Sequence, residues 1–255
     1  MNSKIKNWQG QRVWVIGASS GIGAETARIL QARGARLALT ARNAAGLQHI
    51  ANGHTETLIL PLDITDHSAL LAAHDTLLAQ WGGIDLVLIV AGTYNKMRAD
   101  NFDLEVAKQL LDTNVNGTLN CLAAVLPTLL KQGSGGIGIV ASIAGLRGLP
   151  QALIYGPSKA ALINLCESLY LDLRPRGINV YLINPGFVAT PLTAGNDFAM
   201  PALISAEVAA QELIRGLERG EFHIHFPKRF TNWLRLTRLL PYRAYFWLIH
   251  KVTGL

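Results

Sequence analysis

Tyr155 and Lys159 stand four positions apart in the run Tyr155-Gly156-Pro157-Ser158-Lys159. On a helix they share one face, so a phenol and an ammonium can meet at one site. Pro157 is tolerated only in a first helical turn, which puts the pair at a helix start. A phenol titrates near ~10 in water, too high to exchange a proton readily at neutral pH, and an adjacent ammonium lowers that value by favouring the phenolate. Alone, this pattern recurs by accident on helix surfaces. A second motif adds weight: the apolar run 13–16 meets Gly17-Ala18-Ser19-Ser20-Gly21-Ile22-Gly23 and then a helical pattern. Glycines there allow a tight turn and close approach to a diphosphate, which the N–H groups and dipole of a helix start can receive. A third motif is Leu39-Thr40-Ala41-Arg42, at the end of the next apolar run. An NAD site places an acidic residue about here to accept from the ribose hydroxyls. Here Ala41 and Arg42 stand instead, and a guanidinium suits the 2′-phosphate of NADP in charge and donor geometry.

The elements that must position these residues alternate along the chain. Short β-branched or apolar runs occupy 12–16, 36–40, 57–60, 86–90, 137–141 and 179–183, with helical patterns at 21–32, 44–51, 68–81, 104–131 and 155–173. A last unit pairs a helix at 206–219 with a strand at 222–226. Runs apolar throughout read as strands buried on both faces, and helices between them imply right-handed crossovers. The expectation is α/β: a single doubly wound Rossmann domain over 1–255 with a seven-stranded, mainly parallel sheet, and residues 228–255 as a basic amphipathic extension. Substrate would bind beyond the carboxyl ends of the strands.

The spacing Gly-x-x-x-Gly-x-Gly, with Tyr155 and Lys159 downstream, resembles the short-chain dehydrogenase/reductase family over about residues 10–227. The resemblance implies hydride transfer between NADP(H) and a carbonyl or alcohol. It implies that Tyr155 is the acid/base, that Lys159 holds the nicotinamide ribose and tunes the phenol, and that Ser142 hydrogen-bonds the substrate oxygen. Asn114, in Asn114-Val115-Asn116-Gly117, matches the asparagine that completes a proton relay through water. For the cofactor, the resemblance implies contacts from Gly17, Ser19, Ser20, Gly21, Ile22, Gly23 and Arg42. Asp63 and Ile64 match the adenine site, although Asp63 is equally readable as a turn or cap residue. Ala91 and Gly92 match the ribose wall; Ile89 and Val90 replace the family's usual paired asparagines, which puts local rigidity in question. Pro185, Gly186, Val188 and Thr190 match the loop that covers the nicotinamide.

Composition bounds the alternatives. Of 255 residues, 50% are hydrophobic and 16% charged, a globular balance. Cys121 and Cys166 lie in apolar helical patterns and read as reduced core residues; no Cys/His cluster has metal-ligand spacing, so no metal is expected. The start of the chain is polar and no run approaches a membrane span, so a cytoplasmic protein is expected. The net charge of +6 is confined to the end, where no acid follows Glu221 and Lys228, Arg229, Arg235, Arg238, Arg243 and Lys251 supply six positive charges. Localised basic charge mixed with aromatics points away from nucleic acid. The expected helix from about Thr231 groups Leu236, Leu239 and Leu240 on one face, away from Arg235 and Arg238, with Pro241 ending or bending it. Two readings stand: peripheral docking on an anionic membrane, or packing on the domain or a partner subunit. Segment 192–205, with Phe198, Met200, Pro201 and Leu203, reads as a lid leaning toward a hydrophobic substrate. The family implies a homo-oligomer paired through the two long helices. The rival functional reading is a cofactor-binding regulator or scaffold without turnover.

Overall fold

The computed structural model describes residues 1–254. It begins with β1 (Arg12–Ile16), α1 (Gly21–Ala32), β2 (Arg36–Thr40), α2 (Ala44–Ala51), β3 (Leu58–Ile59) and α3 (His67–Trp81). Then follow β4 (Leu86–Ile89), α4 (Leu104–Leu111), α5 (Gly117–Gln132), β5 (Gly136–Val140), α6 (Tyr155–Leu173) and β6 (Asn179–Pro185). After β7 (Val188–Ala189) and β8 (Ile204–Ser205) come α7 (Ala206–Arg219), β9 (His223–Phe226), α8 (Lys228–Leu236) and α9 (Tyr242–Thr253). Seven strands form one sheet in the order β3-β2-β1-β4-β5-β6-β9, and every ladder is parallel rather than mainly so. The fold is Rossmann-like α/β. The short β7–β8 pair lies outside this sheet.

Period-2 alternation divides the apolar runs between two cores. Trp14, Ile16, Val87, Ile89, Ile137 and Ile139 face α3, α5 and α6, where Leu77, Cys121, Val125, Leu162 and Cys166 meet them. Val13, Val15, Leu86, Leu88 and Ile183 face α1, α2 and α7 through Leu30, Leu47, Ile50, Leu213 and Leu217. Both cysteines are buried and unpaired. Because the strands run one way, their carboxyl ends gather the loops after β1, β2, β4, β5 and β6 along one sheet edge.

Two expected elements differ. The single helix expected over 104–131 is interrupted by a π-helical stretch at Asp112–Asn116, which widens the turn there. The terminal helix starts at Lys228, and its faces are reversed. Thr231, Leu234 and Thr237 are buried, while Leu236 and Leu239 are exposed and Arg235 turns inward to His225. The face that docks carries Leu234 together with Thr231 and Arg235, which meet hydrogen-bonding groups of His225 and Pro227.

β1 and β4, which deliver two of the site's loops, are clamped at their starts. Arg12 donates to Asp85 through Nε (2.9 Å), Nη2 (2.6 Å) and its backbone N–H (2.8 Å). Burial alone would raise the Asp85 pKa, but the bonds from Arg12 outweigh it and hold the carboxyl below its ordinary value. A depressed carboxyl contributes stability above the unfolded value of about 3.9 and loses it as pH falls through the folded one. Asp85→Asn is therefore expected to lose about 1–3 kcal/mol in urea unfolding at neutral pH. The difference from wild type should shrink once the pH falls below the ordinary carboxylate range.

Candidate active site

The first turn after β1 is compressed. Gly17 has φ +97°, and a Cβ on it would lie 2.4 Å from the backbone N of Ala91. One on Gly23 would lie 2.1 Å from the carbonyl of Gly17. The loop is tied to the end of β2, where the N–H groups of Gly17 and Ala18 donate to the Thr40 carbonyl at 2.7 and 3.1 Å. α1 then begins without a side-chain cap, although Ser20 occupies its N-cap position, and has no acid in its first turn. By contrast α2, α3, α4 and α7 are capped by Asn43, Asp66, Asp103 and Ser205. The leading N–H groups of α1 are thus left for an anion in the cleft. Arg42 reaches over the same end, largely exposed, 3.6 Å from the Asp63 carboxylate. Asp63 also closes a turn on Thr65, accepting from its N–H at 3.0 Å and its hydroxyl at 2.9 Å. Both readings of Asp63 are therefore compatible, since it makes the turn and still lines the cleft.

At the other end, α6 starts with Tyr155 because Pro157 sits in its first turn. The Ser158 hydroxyl donates to the Tyr155 carbonyl at 2.7 Å. Lys159 is buried and donates from Nζ to the Val140 carbonyl at 3.0 Å, with Nζ 5.8 Å from the Tyr155 ring centre. Burial draws its pKa down to about 8 and pushes the Tyr155 phenol up to about 12, against the opposing pull of Ser142. Ser142 follows β5 and accepts from the Ala144 N–H at 3.1 Å, which leaves its hydroxyl hydrogen available to the cleft that it lines. Asn114 lies behind this wall, fully buried in the π-helical stretch. Its amide accepts from Thr93 N–H at 2.7 Å and donates to the Thr93 carbonyl at 2.9 Å and to Ser158 at 3.1 Å. Gly92 fits between, since a Cβ there would stand 3.2 Å from both Asn114 Oδ1 and Lys159 Nζ.

The two ends belong to one cleft of about 510 Å³. Gly17, Ser19, Ser20, Gly21, Ile22, Gly23, Arg42, Asp63, Ile64, Ala91, Gly92, Ser142, Tyr155, Lys159, Pro185, Gly186, Val188 and Thr190 all line it. Asn114 does not. The cleft also uses residues that sequence reading passed over, among them Thr93, Thr113 and Thr193. Thr193 locks the loop after β6: its hydroxyl donates to the Val188 carbonyl at 2.6 Å and accepts from the Thr190 N–H at 3.1 Å. The Thr-x-x-Thr spacing was the available signal, a hydroxyl able to close its own turn. Tyr94 sets its ring edge-on to Tyr155 at 5.0 Å, and no local pattern marked it. Lys96 bridges to Asp197 of the lid at 2.8 Å.

The chain around this cleft matches a known family. The family described as short chain dehydrogenase matches residues 11–199. The chain belongs to this family. It is an oxidoreductase. An "uncharacterized oxidoreductase" of Myxococcus xanthus is 38% identical over 232 residues, covering 89% of this chain and 91% of that one. One of Staphylococcus epidermidis is 35% identical over 204 residues, covering 80% and 89%. Among solved structures, a short chain dehydrogenase of Burkholderia cenocepacia in complex with NADP superposes with a TM-score of 0.84 at 24% identity, covering 95% of this chain and 98% of that one. At that identity the likeness concerns the fold.

In this short chain dehydrogenase, Asn114 joins the loop after β4 to the start of α6. Asn114→Ala removes the partner of the half-buried Thr93 N–H and carbonyl and of the Ser158 hydroxyl, and should cost about 1–3 kcal/mol in denaturant unfolding. Unchanged stability would mean that the bridge is not what holds the two segments.

Proposed function

We propose that this enzyme transfers a hydride between NADP(H) and a carbonyl or secondary alcohol, with Ser142, Tyr155 and Lys159 as the groups at the reacting centre. The observation that carries the reading is their presence in one cleft with the uncapped start of α1 and the exposed guanidinium of Arg42. That donor set suits the dinucleotide: free N–H groups for a diphosphate, and a guanidinium for the 2′-phosphate. When bound, the cofactor supplies or accepts the hydride. The protein supplies orientation and protons. Burial pushes the Tyr155 phenol up to about 12, the reverse of the lowering expected from an adjacent ammonium, so Tyr155 keeps its proton at neutral pH and is the group that gives it to the carbonyl oxygen during reduction. Ser142 donates its free hydrogen to that same oxygen. Lys159, with one proton committed to Val140, keeps two for a ribose and holds positive charge beside the phenol. Asn114 fixes Thr93 and Ser158, and so holds the loop after β4 against the helix start that carries Tyr155 and Lys159. In this reading Asp63 and Ile64 border the adenine, Ala91 and Gly92 the ribose, and Pro185, Gly186, Val188 and Thr190 the nicotinamide.

The finer features belong to the same proposal. Leu192, Phe198, Met200 and Leu203 of the lid, with Tyr94 opposite, favour a hydrophobic substrate. Exposed leucines on α5 (Leu119, Leu130) and α6 (Leu171) suit a homo-oligomer. We place the enzyme in the cytoplasm, peripheral to a membrane through residues 228–255 of a single domain. A regulator or scaffold without turnover would have no use for the intact set of Ser142, Tyr155, Lys159 and Asn114.

Tyr155→Phe keeps the ring and removes the proton. It should lose roughly 100-fold or more in the rate of NADPH-dependent aldehyde or ketone reduction while NADPH affinity holds. Near-normal turnover would sink the mechanism. Arg42→Ala removes the guanidinium and leaves Asp63 facing the phosphate. NADPH binding should weaken by about 1.5–3 kcal/mol, with NADH nearly unaffected. Wild type preferring NADH in a binding titration would reverse the cofactor assignment.

A further inference from the structure

Beyond β9 the chain is fastened to the domain by buried Leu234, Tyr245 and Ile249 together with a set of polar anchors. His225 meets the Thr231 hydroxyl at 2.6 Å and receives a hydrogen bond from Arg235 at 2.8 Å. The corner between α8 and α9 is pinned by Arg147, which donates to the Leu240 carbonyl at 2.8 Å and to that of Thr237. Its guanidinium also lies 4.0 Å over the Tyr245 ring, while the Tyr245 hydroxyl donates to Gly148 at 2.5 Å. A second apolar surface is left in water. Trp233, Leu236, Leu239, Tyr242, Phe246 and Trp247 are all exposed, from 39% to 82%.

Arg229, Arg238, Arg243 and Lys251 are interleaved with them, all exposed, and no acid follows Glu221. Aromatic rings mixed with unopposed cations match an anionic bilayer interface, where the rings enter the headgroup boundary and each basic side chain meets lipid charge. The Lys251 ammonium lies 5.0 Å over the Trp247 ring, so cation and aromatic ring present one amphipathic patch. A second copy fits poorly, because a two-fold contact through this face would bring two copies of the same cation-bearing surface together with no acid in the extension to pair with them. The extension also touches the segment behind the cleft wall: Phe230 stacks at 5.7 Å on Phe187, which stands between the cleft-lining Gly186 and Val188 and meets Phe198 at 5.9 Å.

We propose that the outward face of α8 and α9 docks on an anionic lipid bilayer and seats the mouth of the cleft at its surface, so that the hydrophobic substrate is drawn from the lipid. The substrate source rests on the functional reading above; the docking does not, and it can be measured without turnover. The test is flotation of the full chain with phosphatidylcholine vesicles containing or lacking phosphatidylserine, at low and high salt. Trp8, Trp14 and Trp81 are buried, so Trp233 and Trp247 are the exposed members of the five tryptophans and report insertion directly. Quenching by brominated acyl chains should therefore accompany binding. The expected result is binding to the phosphatidylserine vesicles alone, weakened by salt. It should fall at least about tenfold in R229E/R243E/K251E and in L239S/F246S/W247S, with NADPH affinity and thermal unfolding unchanged. Failure of wild type to bind either vesicle, or equal binding to both, overturns the proposal. So does a dimer in sedimentation equilibrium that L239S/F246S/W247S dissolves while wild type leaves vesicles alone; the occupant would then be a second copy.

Discussion

The ammonium of Lys159, taken out of water against a single backbone carbonyl, constrains the whole active site. Burying such a charge without a carboxylate is costly, and the fall in its pKa to about 8 reflects that cost. The position persists because the backbone around it leaves no alternative. A Cβ on Gly145 would stand 2.5 Å from the Lys159 carbonyl carbon, so the turn after β5 presses directly on the helix. Ser158 ties the same turn of α6 to Tyr155 and to Asn114. A flexible helix start would let the ammonium escape to solvent. A rigid one keeps it beside the phenol, where its charge acts at low dielectric.

That rigidity is supplied from a distance. Asn114 can reach both Thr93 and Ser158 because the π-helical stretch turns its amide inward, where a regular helix would present the next turn. Thr118 takes up the Asn114 carbonyl at 2.9 Å, so the widened turn does not leave that acceptor open. Ile89 and Val90 stand where the family usually has amides, yet the loop after β4 is not loose. Asn114 and the ladder to β1 carry the bracing, with the Val90 and Ala91 N–H groups donating to Ile16 at 2.8 and 2.9 Å.

The alternation of buried runs and helices gave away the layers, because a parallel sheet buried on both faces must be apolar along its whole length. Tyr155-x-x-x-Lys159 and the glycine turn were legible for a similar reason: each is set by local geometry, at a helix start or a strand end. What was hidden depends on distant partners. The π-helical break leaves the apolar period of 104–131 almost undisturbed, so nothing in that segment announces it. Tyr94 gains its place only from Tyr155, sixty-one residues on. The faces of α8 were misread because apolar periodicity assumes that the greasy side goes in. Here His225 and Pro227 offer hydrogen-bond partners that Thr231 and Arg235 satisfy.

This reversal binds the extension to the chemistry. Arg147 lies five residues beyond Ser142, on the same loop, and its guanidinium is shared between the helix corner and two aromatic rings. The loop carrying Ser142 is therefore held from both sides, by α6 through Gly145 and by the extension through Arg147. Hydrogen bonds of this kind contribute only about 1 kcal/mol each, so they orient the extension more than they stabilise it. They do so by leaving Leu239, Phe246 and Trp247 in water, an arrangement that burial of apolar area would by itself reverse. On the docking proposal, a sequence that turns Thr231 and Arg235 inward and Leu239, Phe246 and Trp247 outward, next to the loop that carries Ser142, is organised around a surface met after folding.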